Sequence, residues 1–315
     1  MGSMRLGMFI ASIIAVGVST FFAASVLTNA VGSSPDPTPS PEPTPILEAS
    51  IAAEATATAT PEPLPLTCDE RNALAEALVR DVEFAMEGYE GTWGFALYDQ
   101  HCDHWVESDP RYTQYSASAG KIVSVIAVLR KVQSGEVPMA DIAAPLEAVL
   151  THSWDNDADY LESFTTQPDY DEVLNIAGAE TARFSGAWRH ANMAPADMAK
   201  IWAALVSGEY LNAEYTDLVM SLAGGSIIPE EYRTFPDGSF DPPHFRYGQK
   251  AGYYVSDGVP YFFVGAGFLL HEPTGQAFFP AFMSVGDNED LFEPQRRQVF
   301  PLVMNYVLAA LGPLN

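Results

Sequence analysis

Two residues with catalytic potential, Ser118 and Lys121, lie three positions apart at the start of a strongly apolar segment. On a helix, this spacing puts both side chains on one face. A serine hydroxyl becomes an effective nucleophile when a neighbour takes its proton, and a desolvated lysine amine can do so. The helix N-terminus adds free N–H groups where an oxyanion would develop. The pair therefore predicts acyl transfer through a serine nucleophile.

Two more short motifs follow residues 118–121 along the chain. Residues 154–156 read Trp-Asp-Asn after an apolar stretch, and residues 250–252 read Lys-Ala-Gly inside a predicted strand. Lysine is scarce in this sequence, so a lysine in each of two motifs carries weight. The lysines of the chain are Lys121, Lys131, Lys200 and Lys250.

These motifs, in this order, resemble S-x-x-K, S-D-N and K-[ST]-G of the class A β-lactamases and related penicillin-recognising serine hydrolases. The resemblance covers about residue 67 to the C-terminus. It implies that Ser118 is acylated and that Lys121 shares its proton. It also implies that Asn156 holds Lys121 and the substrate amide, and that Lys250 meets a substrate carboxylate. The backbone N–H groups of Ser118 and Tyr253 would form the oxyanion hole.

The second and third motifs depart from the family pattern. Trp154 stands where the family has a serine that passes a proton to the leaving nitrogen, and Ala251 lacks a hydroxyl for the carboxylate. With Gly252, both are expected to line the substrate site. Ser153 is adjacent to Trp154, but an offset of one residue should point it elsewhere. Arg246 shares a strand face with the third motif and is either a carboxylate ligand or a surface arginine.

The family's water-activating glutamate also has no counterpart. The matching segment, residues 185–192, contains no carboxylate. Glu180 lies just upstream and His190 lies within the segment, and each is either a general base or an exposed side chain. We therefore expect acylation of Ser118 to be followed by slow deacylation.

The periodicity of apolar residues predicts an α+β fold. An antiparallel five-stranded sheet is flanked by the N- and C-terminal helices, with an all-helical subdomain beside it, as in the β-lactamase and transpeptidase folds. Strands are predicted at 92–98, 104–107, 245–255, 261–270 and 277–285, and helices at 69–86, 118–132, 139–151, 170–177, 195–206, 213–222 and 298–311.

Composition restricts the class of partner. The 315 residues carry a formal net charge of −26, which disfavours nucleic acid and anionic membrane surfaces because both need clustered Lys and Arg. Nearly half of the residues are apolar, enough for a sizeable core. We expect a small-molecule partner, either a β-lactam or a peptidoglycan-type peptide, and a monomeric protein.

The N-terminal part predicts export. Residues 1–32 are an apolar segment that is either a signal peptide or a membrane anchor. Residues 33–66 form a linker rich in Pro, Thr and Ala, whose proline density prevents a packed core. Residues 67–315 form the folded domain. The protein is thus expected to be extracytoplasmic, secreted or held at the outer face of the cytoplasmic membrane.

Cys68 and Cys102 are the only cysteines. In an oxidising compartment they are either a disulfide or two unrelated thiols. His101 and His104 crowd Cys102, but their spacing matches no metal-ligand pattern, so no metal and no cofactor are expected.

Two further functions stay open on the same scaffold. A serine esterase needs less help with its leaving group and tolerates the loss of the S-D-N serine. A non-catalytic cell-envelope binding protein would explain the altered motifs and the missing loop carboxylate.

Overall fold

The computed structural model describes residues 65–227, 244–254, 261–287 and 292–312, with only the backbone of 292–297. The predicted signal or anchor segment and nearly all of the linker lie outside these residues. Within the described ranges, no helix has both the length and the apolar content needed to cross a membrane.

An antiparallel sheet of six strands lies at the centre of the domain, in the order β2-β1-β8-β7-β5, with β6 also paired to β7. A separate two-stranded sheet joins β3 to β4. The strands are β1 (Gly91–Asp99), β2 (His104–Glu107), β3 (Gln114–Tyr115), β4 (Asn192–Met193), β5 (Phe245–Gln249), β6 (Gly252–Tyr254), β7 (Tyr261–His271) and β8 (Gln276–Gly286).

The predicted α+β fold is therefore correct. The predicted strand 245–255 is two strands, because its pairing with β7 is interrupted at Lys250 and Ala251. The sheet thus has the expected five positions, one of which is occupied by two short strands.

Eight α-helices are described, with the first and the last packed against one another. A 3₁₀ turn (Ala117–Gly120) leads into the second, and a π-helical turn (Ala148–His152) follows the third. The helices are α1 (Cys68–Ala85), α2 (Lys121–Ser134), α3 (Met139–Glu147), α4 (Asp155–Glu162), α5 (Gln167–Ala177), α6 (Pro195–Val206), α7 (Ala213–Gly224) and α8 (Phe292–Leu311).

Helix α4 is absent from the sequence-based prediction. It reads DNDADYLE, and only Ala158 and Leu161 are buried. Two buried residues in eight give no recognisable helical period, so this helix depends on packing against α2 and α3.

The sheet separates two apolar cores because its side chains alternate between faces. Along β7, Phe263 and Leu269 pack with α1 and α8, whereas Val264 and Ala266 pack with the helical subdomain. Helix α2 lies inside the second core, and its side chains from Lys121 to Leu129 are all buried. A helix without a polar face is held on every side, which fixes the position of the turn that precedes it.

The terminal helices are joined to the sheet by a buried polar network. Arg71 on α1 donates to Asp99 on β1 at 3.2 Å, and Tyr306 on α8 donates to the same carboxylate at 2.8 Å. Nearby, Cys68 and Cys102 form a disulfide that ties the start of α1 to the β1–β2 turn. These links hold the helical layer against the sheet.

Candidate active site

The candidate nucleophile lies on a strained turn. Ser118 is partly exposed and belongs to the 3₁₀ turn that runs directly into α2. The residue before it, Ala117, has φ +46°, a left-handed conformation that costs a non-glycine residue about 1–3 kcal/mol. Burial of α2 on all sides holds this turn in place, so the Ser118 side chain is presented at a fixed position.

Strand β6 packs directly against the same turn. A Cβ atom added to Gly252 would lie 2.5 Å from the backbone nitrogen of Ala119 and 2.9 Å from that of Ser118. Only glycine allows so close an approach. Gly252 therefore brings the backbone of β6, including Tyr253, alongside the backbone N–H of Ser118, where the resemblance implies an oxyanion hole.

Lys121 is fully buried one turn after Ser118. Its ammonium group donates to the carbonyl of Ser153 at 2.7 Å and to Asp155 Oδ1 at 2.5 Å. It also lies 4.3 Å from the ring centre of Trp188. Burial lowers the pKa of Lys121, while the hydrogen bond and charge of Asp155 act in the opposite direction.

The prediction that Asn156 holds Lys121 is wrong. Helix α4 begins at Asp155, with Trp154 as its N-cap residue. Neighbouring residues on a helix point in directions about 100° apart, so only one of Asp155 and Asn156 can face Lys121. Asp155 does so, and Asn156 is exposed to solvent.

In this segment Ser153, and not Trp154, faces the lysines. Ser153 adopts φ +63°, a left-handed conformation that turns its side chain inward, and its hydroxyl lies 2.7 Å from Lys250 Nζ. Trp154 is instead 57% exposed and stacks on His152. Ser153 and Asp155 thus make the inward contacts that the sequence analysis expected one position later, at Trp154 and Asn156.

Lys250 is buried at the break between β5 and β6. Its amine contacts the Ser153 hydroxyl and the carbonyl of Ala251, the latter at 3.2 Å. No carboxylate of the described residues forms an ion pair with it. Burial, and then the nearby charge of Lys121, lower its pKa well below the usual value. The two lysines therefore meet at Ser153, Lys121 on its carbonyl and Lys250 on its hydroxyl.

A tryptophan and an arginine occupy the segment in which the sequence lacks a carboxylate. Trp188 is buried, and its indole N–H donates to Asp159 at 3.1 Å. Arg189 packs on the same indole ring and pairs with Asp159 at 2.9 Å and with Asp155 at 3.4 Å. The hydrogen bond from Arg189 is the main cause that lowers the pKa of Asp159. Together these contacts hold the indole ring over Lys121.

The two candidate bases proposed from the sequence do not enter this cluster. Glu180 and His190 are both exposed, and Glu180 lines a separate cleft with Trp105 and Lys200. A different carboxylate, the partly buried Glu162, contacts the Trp188 backbone. Glu162 accepts hydrogen bonds from Ser124 Oγ at 3.0 Å and from the Trp188 backbone N–H at 2.5 Å. Burial raises the pKa of Glu162.

Arg246, left open as either a carboxylate ligand or a surface arginine, and Ala251, expected to line the substrate site, both have other surroundings. The guanidinium of Arg246 donates to Asp217 at 2.6 Å and to Ser221 at 2.7 Å, both on α7. The side chain of Ala251 is buried and faces the protein interior.

The cysteine and histidine cluster is accounted for by the disulfide. Ligand atoms of Cys68, His101 and Cys102 lie within 4.8 Å of one another. Both sulfur atoms are already bonded to each other, and a metal would need them as thiolates.

Three residues of this cluster were missed by the sequence analysis as functional candidates, namely Asp155, Trp188 and Arg189. A signal for Asp155 was available, because it lies two positions after a serine, as the asparagine of S-D-N does. Trp188 and Arg189 carried no such signal, since their role depends on tertiary contacts.

The architecture resembles solved β-lactamases over nearly their whole length. The chain is similar to the β-lactamase of Sphaerobacter thermophilus, with a TM-score of 0.63 at 17% identity, covering 76% of this chain and 99% of that one. A β-lactamase from Xanthomonas campestris gives 0.63 at 17%, covering 75% and 99%. The TLA-1 extended-spectrum β-lactamase gives 0.63 at 14%, covering 74% and 99%. The chain has the β-lactamase fold.

The likeness is one of structure and not of sequence. No family model matches the chain, and no curated protein matches it. At identities of 12–17%, the shared β-lactamase fold identifies the architecture, and the chemistry must be argued from the residues of the site.

Proposed function

We propose that this chain is a serine acyl-transfer enzyme of the β-lactamase and penicillin-binding type, in which Ser118 accepts an acyl group and releases it slowly. One observation carries the proposal. Two buried lysines converge on Ser153: Lys121 lies one turn after Ser118, and Lys250 lies two residues before the glycine that packs on the Ser118 turn. Burying two amines around one serine is costly, and structural support for the fold alone does not require it.

The arrangement supports the first half-reaction. Attack of Ser118 Oγ on a carbonyl requires a proton acceptor, oxyanion donors and a proton donor for the leaving group. A buried lysine amine and the Ser153 hydroxyl supply the proton path. The N–H of Ser118 and the adjoining backbone of β6 supply the oxyanion site. The proposed acyl donors include amides, because the Ser153 hydroxyl can pass a proton to a leaving nitrogen and the Trp154 side chain cannot.

The second half-reaction lacks its base. Hydrolysis of the acyl-enzyme needs a water molecule and a group that takes its proton. The Trp188 ring occupies the space over Lys121, and an indole accepts no proton. The carboxylates on that side are already engaged: Lys121 binds Asp155, and Arg189 binds Asp159. Glu162 accepts hydrogen bonds from Ser124 and from the backbone N–H of Trp188. The acyl-enzyme is therefore expected to persist.

β-Lactams and D-alanyl peptide amides are the donors that the resemblance implies, and we propose that the protein meets them outside the cytoplasm. The Cys68–Cys102 disulfide supports an oxidising compartment, as do the apolar segment 1–32 and the proline-rich linker. We do not propose an ester donor, because the reason for it was a missing hydroxyl and Ser153 supplies one.

Stopped-flow kinetics with a chromogenic cephalosporin tests the proposal. At high enzyme concentration we expect a burst close to one equivalent of enzyme, followed by a slow steady state. Ser118→Ala is the matched control and should abolish the burst. The absence of a burst, with no reaction of Ser118 with a fluorophosphonate, would instead favour a non-catalytic binding protein.

A further inference from the structure

The two lysines of the site have different surroundings, although either is close enough to Ser153 to take part in proton transfer. A lysine can accept the Ser118 proton only when its amine is neutral. The sequence spacing favours Lys121 for this role. The contacts of the two amines favour Lys250.

Burial lowers the pKa of Lys121, but its direct hydrogen bonds and its ring contact all stabilise the ammonium form. Its hydrogen bonds go to a carboxylate, Asp155, and to a carbonyl, that of Ser153, and both partners accept from an N–H. The Trp188 ring, whose centre lies 4.3 Å from the amine, also attracts a cation. A neutral amine would forfeit the ion pair and the cation–π contact together.

Among the described residues, Lys250 has neither an ion pair nor a cation–π contact. Its partners are a hydroxyl, which can donate as well as accept, and its neighbour's carbonyl. The charged groups near it are Lys121, from α2, and Asp155, from α4; burial and Lys121 disfavour its ammonium form, and only Asp155 favours it. The carbonyl of Ala266 on β7 accepts from the backbone N–H of Lys250 and not from its amine.

We propose that Lys250, acting through the hydroxyl of Ser153, is the proton acceptor for Ser118, while Lys121 remains an ammonium ion paired with Asp155. The proposal rests on the acyl-transfer function proposed above. It reverses the roles that the motif spacing implies, because Lys121 then supplies only charge and position.

The steps balance without an added reactant. Ser118 Oγ forms a bond to the carbonyl carbon, its proton passes to Ser153 Oγ, and the Ser153 proton passes to Lys250 Nζ. The carbonyl electron pair moves to oxygen and returns as the bond to the leaving group breaks. Lys250 then gives its proton back through Ser153 to the leaving nitrogen or oxygen. Lys121 keeps all its protons throughout.

The test measures the rate of Ser118 labelling by a fluorophosphonate as a function of pH, in the full chain. Ser153→Ala and Lys250→Met should each slow labelling by about 10²–10⁴-fold, and the double variant should be no slower than either, because the two residues act as one path. In the wild-type protein the labelling rate should fall at low pH as Lys250 becomes protonated, and we call this fall the acid limb. Lys121→Met should keep the acid limb but displace it to higher pH, because the lost cation held the pKa of Lys250 down.

Arginine variants keep the test valid if a methionine variant fails to fold. Arginine is a permanent cation, so Lys250→Arg should slow labelling by about 10²-fold or more, whereas Lys121→Arg, which keeps the cation, should slow it far less. A lost acid limb in Lys121→Met with a retained one in Lys250→Met would overturn the proposal, as would multiplicative losses in the double variant. Unlabelled wild-type protein over the whole pH range would overturn the acyl-transfer function itself, and this proposal with it.

Discussion

Replacement of Trp188 by glutamate or glutamine separates the steric from the chemical part of the slow deacylation. Trp188 is 3% exposed, contacts Lys121 at 4.3 Å and donates to Asp159 at 3.1 Å. Both variants lose this packing equally. Large-to-small changes of buried aromatic residues cost about 3–5 kcal/mol. We expect the lower figure, because the new side chains fill part of the space, and a Tm lower by roughly 6–12 °C in both variants.

The two variants should differ in deacylation. Both open room for water above Lys121, but only the glutamate carboxylate can take a proton from it. General-base assistance is worth about 10²–10⁴-fold. Because the surrounding contacts are not arranged for this residue, we expect the lower end, with Trp188→Glu releasing the acyl group about 10²-fold faster than Trp188→Gln.

The assay isolates the second half-reaction. Each protein is loaded with a penicillin, freed of excess reagent, and followed by intact-protein mass spectrometry as the adduct disappears. Wild-type protein and Trp188→Gln serve as controls. Equal rates for the two variants would show that Trp188 does not lie where a deacylating water is activated, and the explanation for slow turnover would be refuted.

Three further predictions follow from the geometry. Gly252→Ala should reduce fluorophosphonate labelling at least tenfold and lower stability by about 1–3 kcal/mol, because the new Cβ meets backbone atoms; unchanged labelling with a normal thermal melt would contradict the close approach of β6. Replacing Cys68 and Cys102 together by serine should cost about 3–4 kcal/mol in denaturant unfolding, since the bond closes a separation of 34 residues; an unchanged midpoint would argue against it. Asp155→Asn should move the acid limb of labelling to lower pH, because loss of the carboxylate lowers the pKa of Lys250 and keeps its amine neutral in more acidic solution; a shift to higher pH would contradict that sign.

Elements with a clear apolar period were predictable from sequence. The segment that became α2 has no polar face, which indicated burial, and the aromatic strands β7 and β8 were bounded to within one residue. Helix α4 was not predictable, since its eight residues include only two that are buried. Its stability comes from neighbours that a local pattern does not contain.

The site was partly predictable for the same physical reason. Ser118, Lys121 and Lys250 follow from residue type and spacing. The inward-facing residues of the second motif were expected one position too late, because the left-handed conformation of Ser153 changes which side chains face inward. The sequence around Ser153 contains no glycine that would indicate such a turn. The role of Trp188 was not predictable, because only the tertiary structure brings it to Lys121.

The proposed function requires a persistent acyl bond to Ser118. The most direct measurement is intact-protein mass spectrometry after brief exposure to a penicillin, followed by proteolysis and mapping of the adduct. We predict one added acyl mass per chain, on the peptide that contains Ser118 and stable for minutes after the reagent is removed, with no adduct on Ser118→Ala. An adduct on another residue, or an equal adduct on the Ser118→Ala variant, would contradict the account.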